Sequence, residues 1–228
     1  MNIYEIYDSN SDFATFEMKY LLYPFFLLMV VGGQAQSDSI AYSRDYEFKE
    51  GVFLNFDQFK NNAPILKSAI VSAVPKSQID FISEVLDQKN LVYKDSAGNE
   101  QKIETANIWG YCQNRTIAVN FNKGFNRINV IGTFSLFSAL VIKTPIDRDP
   151  MGNVYNMNTS YEELHQFVLD TKTNKVLDFN VKNMELLLKN DPVLYEQFMK
   201  LKKRAKADSI FIYLRKFNEK HPLYLPVK

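Results

Sequence analysis

Apolar residues along this chain recur in two rhythms. They fall at every second position through the middle and at every third or fourth position towards the C-terminus, which are the periods of strands and helices. Gly51 to Phe56 (GVFLNF) alternates as a strand, Asp57 to Asn62 makes one helical turn, and Ala63 with Pro64 stops it. Ile65 to Val74 is apolar and β-branched, which predicts a second strand ending at Pro75. Ser77 to Gln88 predicts a short amphipathic helix with Ile79, Ile82, Val85 and Leu86 on one stripe and Phe81 off it.

The middle of the chain reads as a meander. Leu91 to Lys94, Gln101 to Ile108, Ile108 to Cys112, Thr116 to Phe121, Phe125 to Ile131 and Phe134 to Ile142 are strand-like runs. Turn residues separate them, at Asp95 to Asn99, Gln113 to Arg115 and Asn122 to Gly124. Phe134 to Ile142 (FSLFSALVI) is apolar on both faces, as a central strand covered on each side should be. Residues 144–159, rich in Asn, Pro and charge, predict a long irregular loop. Tyr161 to Asp170 and Lys175 to Phe179 form the arms of a further hairpin around Thr171 to Asn174.

The helical rhythm takes over after Phe179. Asn180 is placed to cap a helix containing Met184, Leu186, Leu187 and Leu188, and Asp191 followed by Pro192 is a strong start signal for another. Leu194, Phe198, Leu201 and Ala205 line its stripe, and the change to IFIYL at Ile210 to Leu214 predicts burial on all sides or a break near Ala207 to Ser209, with Asp208 as cap. His221 to Lys228 reads as an extended tail. The expectation is one α+β domain over 51–228, an antiparallel sheet of five or more strands with C-terminal helices packed on one face.

The start of the chain carries a different message. Met18 and Lys19 precede an unbroken apolar run, Tyr20 to Val31, too short to span a bilayer comfortably. Gly32 to Ala35 then place small residues at a cleavage site after Ala35, completing the plan of a secretory signal peptide over 18–35. Residues 1–17 hold Glu5, Asp8, Asp12 and Glu17 and no base, the wrong charge for a cytoplasmic flank, so they read as an upstream extension. Gln36 to Glu50 is polar and reads as a flexible leader. No Cys follows the apolar run, which excludes a lipid anchor at the cleavage site, and membrane contact is expected only through the uncleaved segment. These features point to a periplasmic or secreted product.

Composition adds bounds. With 46% hydrophobic residues, 8 Gly, 8 Pro and one Cys, the chain is neither low-complexity nor a disulfide scaffold. Removing residues 1–35 takes away four acids and one base, leaving 26 basic and 22 acidic side chains, a net +4 that commits the product to no particular partner.

The stretch GVFLNFDQFKNNAP (Gly51 to Pro64) resembles the opening motif of a group of uncharacterised exported proteins of Bacteroidota. Ile108 to Gly110, Ile131 with Gly132, and FNEKHPL (Phe217 to Leu223) are similar in style. The resemblance implies an envelope location and assigns no activity and no catalytic residue.

Chemical signals are sparse. Cys112, in IWGYCQN, reads as a half-buried strand residue behaving as a small hydrophobe, with no base within two positions to lower its pKa. Cys112 and His165 are the weak catalytic candidates, as nucleophile and base. Glu162 and Glu163 beside His165 would share a metal only on a helix, whereas the alternation through Phe167 and Leu169 predicts a strand edge, so no metal is expected. Asp147 and Asp149 flank Arg148 as solubilising loop charges rather than a glycosidase pair. Lys200 to Lys206 (KLKKRAK) is the solvated face of a helix, and no nucleic-acid partner is expected. No Gly-rich loop precedes a helix with Lys and Ser or Thr, and no cofactor is expected. The 13 Tyr and 18 Phe exceed what a small sheet needs for its core, so some are available to line a groove. The leading expectation is a non-catalytic binding or structural component of the envelope, meeting an envelope protein, peptide or glycan. The alternative is a hydrolase acting on envelope material.

Overall fold

Turn chemistry organises the largest sheet. Asn114 (φ 50°) and Arg115 (φ 60°) form one two-residue hairpin turn, and Asn122 (φ 54°) and Lys123 (φ 65°) form the next, the left-handed pairs whose twist matches antiparallel strands. The structure, a computed structural model, describes residues 38–144, 146–148, 154–156 and 160–227, all within the unit Ser37–Lys228. The apolar run and cleavage site of residues 18–35, the segment before them, and Asp149 lie outside the described residues.

In chain order the elements are β1 (Ser39–Ala41), β2 (Gly51–Phe53), α1 (Phe56–Lys60), β3 (Ile65–Leu66), β4 (Ile70–Val71), α2 (Phe81–Leu86), β5 (Asn90–Lys94), β6 (Glu100–Glu104), β7 (Gly110–Gln113) and β8 (Thr116–Phe121). There follow β9 (Gly124–Val130), β10 (Phe134–Lys143), β11 (Ile146–Arg148), β12 (Val154–Asn156), β13 (Tyr161–Asp170), β14 (Lys175–Asp178), α3 (Val181–Leu188), α4 (Pro192–Met199), α5 (Lys203–Lys220) and β15 (Tyr224–Pro226). Eight strands form one sheet in the order β14-β13-β10-β9-β8-β7-β2-β3, with every pairing antiparallel. The chain is α+β, as its periodicities predict.

Alternation along β10 sends Phe134 and Leu136 to one face and Phe137 and Ala139 to the other. The first pair packs with Val168 against Met184, Leu187 and Leu188 of α3, Leu194 and Phe198 of α4, and Tyr213, Leu214 and Phe217 of α5. Phe134 and Phe217 stack with ring centroids 4.3 Å apart. The C-terminal helices thus cover one face, as expected. Their covering ends before β10 does: Leu140 is 50% exposed and Ile142 66%, so the both-faces burial expected of this strand holds only for its first half.

The opposite face carries Cys112, Ile117, Val119, Ile128, Phe137, Phe167 and Leu169. It is closed by Phe59 of α1 and by the two ends of the described chain. β1 pairs with β15, Tyr46 Oη donates to Pro226 O (3.1 Å), and Phe48, Leu223 and Leu225 are buried. The stretch read as a flexible leader is therefore docked from residue 38 onwards, and the extended tail is its partner strand. Gly51 allows this closure, since at φ 153° a Cβ there would lie 2.2 Å from Ile65 O.

A third cluster joins Val52 and Ile108 to α2 and the small sheet β4-β5-β6 through Ile70, Phe81, Ile82, Val85, Leu86 and Leu91. Several local expectations fail here and beyond. The run Ile65 to Val74 is cut by a 3₁₀ turn at Lys67–Ala69, so β3 joins the large sheet and β4 the small one. α2 starts at Phe81, which is buried, while Ile79 is 79% exposed, because Gln113 Oε1 accepts Ile82 N–H (2.7 Å) and Ser83 N–H (3.1 Å) and fixes the helix start. The long helix breaks at Lys200–Lys202, where Lys202 is extended, and Asp208 lies inside α5 rather than capping it. Ile212 is 53% exposed, so IFIYL is not buried all round. Within the predicted irregular loop, β11 pairs with β12 as a short hairpin.

Candidate functional site

A concave surface of mixed chemistry opens where the small sheet and α2 meet the β8–β9 hairpin. Its floor starts from alternation: Tyr111 on β7 and Phe125 on β9 project from the same face of the large sheet, and their rings meet edge to face at 5.3 Å. The left-handed Asn122–Lys123 turn carries the hairpin tip to the rim. Asp87 and Lys89, just after α2, stand on the other wall.

Asn120 shapes the groove from below. Its Nδ2 donates to the carbonyls of Ile108 (2.9 Å), Ala106 (3.2 Å) and Thr105 (3.4 Å), and its backbone N–H donates to Trp109 O (2.7 Å). One side chain thereby fixes the 3₁₀ turn Thr105–Asn107 against β8. Thr105 Oγ1 donates to Gln88 O (2.6 Å) and its N–H to Lys89 O (3.0 Å), tying the turn to the opposite wall. The result is an open groove of about 940 Å³ with an aromatic floor and lysine, carboxylate and amide groups at its rim. Burial pushes the Tyr111 hydroxyl above its ordinary pKa, and the charge of Asp87 adds to the effect, so the group stays a neutral donor and acceptor. Aromatic faces with amide and charged groups around them suit a ligand that is part apolar and part hydrogen-bonding, such as a peptide or glycan.

Sequence reasoning did not single out Tyr111, Asn120 or Phe125 as a site. The Asn-Lys-Gly turn and the alternation of β7 were visible, but the wall built by Asp87 and Lys89 arrives through tertiary packing.

Cys112 and His165 do not come together. Cys112 lies on β7 and His165 on β13, with β8, β9 and β10 between them in the sheet. Cys112 is fully buried rather than half-buried, its Sγ is 3.9 Å from Phe48 O, and burial, with Glu50 nearby, pushes its thiol up to about 12. His165 Nε2 lies 3.0 Å from Glu163 Oε2, and Glu163 also pairs with Lys143. The hydrogen bond from Lys143, followed by that from His165, holds the Glu163 carboxyl down at about 2. Glu162 lies on the opposite face of β13 from Glu163, as strand geometry requires. Among the described residues no group of three or more His, Cys, Asp or Glu is placed to hold a metal ion.

The other histidine is tied into the framework. His221 Nε2 meets Asp191 Oδ2 at 2.7 Å, and its backbone carbonyl accepts from Thr133 Oγ1 (2.6 Å). In the basic cluster, Lys206 pairs with Glu185 (2.7 Å) and its ammonium lies 5.5 Å from the Phe198 ring centre, while Lys200, Lys202, Lys203 and Arg204 are exposed. No helix among the described residues is long and apolar enough to cross a membrane.

No curated protein and no solved structure matches the chain. Residues 51–221 match DUF6563, a family of unknown function, and cover both the groove and the sheet that frames it, so the chain belongs to that family.

Proposed function

We propose that this protein is a non-catalytic binding component of the envelope of a bacterium of the Bacteroidota, taking an envelope peptide or glycan in the Tyr111 groove. The observation that carries the reading is the Tyr111–Phe125 aromatic floor, held by the triple hydrogen bond of Asn120 and rimmed by Asp87, Lys89 and Lys123. Aromatic surface supplies binding area at low conformational cost, and the polar rim supplies orientation.

Two features of the sequence support the location. Tyr20 to Val31 followed by small residues up to Ala35 has the order of a signal peptide, and Gly51 to Pro64 resembles exported Bacteroidota proteins. Binding is favoured over hydrolysis because the one thiol is sealed in the core beneath Phe48 O and lacks the imidazole that would activate it.

The test is calorimetric titration of the purified protein with soluble fragments of envelope glycan and peptide. Saturable binding that Tyr111→Ala abolishes, with the ligand recovered chemically unchanged, is the expected result. Turnover of the fragments, or binding indifferent to Tyr111, refutes the reading.

A further inference from the structure

Among the described residues, the outer edge of β13 is unpaired over half its length. β14 covers only residues 167–170, from the pair Phe167↔Asp178 to Asp170↔Lys175, after which Phe179 N–H donates to Gln166 O (2.9 Å) and the chain turns away into α3. Tyr161 to His165 pair with Lys143 to Ala139 of β10 on the inner side. Among the described residues no strand pairs with their outer side. Backbone groups of alternate residues in an antiparallel ladder point the same way. Because the Gln166 carbonyl turns outward, the N–H and C=O of Leu164 and Glu162 turn outward as well, a row of main-chain groups, without a strand partner among the described residues, that an added strand completes.

The two faces flanking this edge differ in chemistry. On one, Leu164 sits directly opposite Leu140 in the ladder, with Ile142 two residues on, and these side chains are 66%, 50% and 66% exposed. On the other lie Glu163, His165 and Asp178. A groove of about 970 Å³ opens beside this edge and reaches across β10 to the β8–β9 turn; it is lined by both carboxylates, Glu163 and Asp178, and by no lysine or arginine among the described residues. Glu163 already shares Lys143, whereas Asp178 and Glu162 make no ion pair among the described residues.

We propose that this edge takes an extended peptide as an added strand, its residues alternately basic and apolar, the basic ones against Asp178 and Glu163 and the apolar ones against Leu164, Leu140 and Ile142. A second copy of this chain is the rival occupant: antiparallel self-pairing about Glu162 or Glu163 sets like charges opposite each other, whereas pairing about Leu164 sets Glu163 opposite His165, so the state of the protein in solution is one arm of the test. The inference rests on the reading of the protein as a binding component, and it uses the edge of β13, whose groove meets the Tyr111 groove only at Phe121 and Asn122.

The experiment measures fluorescence anisotropy of labelled peptides added to the purified protein. The probes are a peptide alternating lysine with valine, its glutamate–valine counterpart, and the lysine–valine peptide N-methylated at alternate residues. The lysine–valine peptide is expected to bind saturably and the other two about tenfold or more weakly. Leu164→Pro removes an outward N–H while leaving the inner ladder to β10 in place, a tolerated position for proline, and weakens binding about tenfold. Asp178→Lys, at an exposed site remote from the core, weakens it by a similar factor of about ten. Amide exchange at Leu164 and Glu162 slows in the complex. Tyr111→Ala leaves all of this unchanged.

No binding of the lysine–valine peptide, binding indifferent to N-methylation, or binding undiminished by Asp178→Lys overturns the proposal. So does a dimer in solution that Leu164→Pro dissociates, since the edge then belongs to a second copy. If the edge peptide fails while the Tyr111 groove still takes its ligand, this inference alone falls. Failure of the groove titration counts against the binding reading separately.

Discussion

His221 Nε2 lies 2.7 Å from Asp191 Oδ2, joining the end of α5 to the residue that starts α4. Asp191 is only 2% exposed, its Oδ1 accepts Leu194 N–H (3.1 Å), and Lys220 Nζ reaches Oδ2 at 2.7 Å. One carboxylate therefore caps one helix and clamps the end of another. The Lys220 hydrogen bond, opposed by desolvation and reinforced by His221, holds the Asp191 carboxyl well below the usual carboxylate range. A depressed folded-state pKa contributes stability that is fully present above the unfolded value of about 4 and is lost as pH falls through the folded value. Asp191→Asn is expected to lower Tm by several degrees at neutral pH. The two melting curves, followed by circular dichroism, converge as pH falls below about 4.

The Cys112 thiol, at about 12 and fully buried, is almost entirely protonated at neutral pH. Thiol reagents should label the native protein only as fast as it unfolds, and label the denatured protein at once. Cys112→Ala is expected to cost about 1 kcal/mol and to leave ligand affinity unchanged. Stopped-flow labelling with and without denaturant measures the first effect, and titration the second.

Phe59 joins three parts of the chain. Its ring stacks on Trp109 at 4.5 Å and on Phe48 at 5.5 Å and meets Phe53 edge-on at 5.8 Å. Phe59→Ala should cost about 3–5 kcal/mol by chemical denaturation, since the site is enclosed by other rings. It should also free residues 38–50, making Arg44 and Lys49 early sites of limited tryptic cleavage, whereas the parent protein resists there.

Asn120→Ala leaves the carbonyls of Ile108, Ala106 and Thr105 without their shared donor. The expected cost is about 1–3 kcal/mol, together with weaker binding in the groove it shapes. A variant that keeps full affinity after this loss of stability would show that the 3₁₀ turn plays no part in the site.

The hairpins were legible because their determinants are local. Asn122, Lys123 and Gly124 name a left-handed turn, the Thr171 to Asn174 turn sits between strands that pair as expected, and Asn180 and Asp191 accept the N–H groups of Asn183 and Leu194 as caps should. The start of α2 was not legible, because Gln113 sets it from the end of β7. The docking of residues 38–50 was hidden for the same reason: their polar side chains read as solvated, while their stability comes from β15 and Phe59. At the site, the separation of Cys112 from His165 depends on strand order, which a count of strands does not reveal. The Tyr111 groove depends on how the small sheet packs, which no local pattern encodes.

The central claim is that ligand is held without chemistry on the Tyr111–Phe125 floor. Titration of one envelope ligand against the parent protein, Tyr111→Ala and Cys112→Ala tests it most directly. Equal affinity for the parent and Cys112→Ala, with loss of about tenfold or more in Tyr111→Ala and no product formed, is the predicted result. Product formation that Cys112→Ala abolishes, or affinity unaltered by Tyr111→Ala, would contradict it.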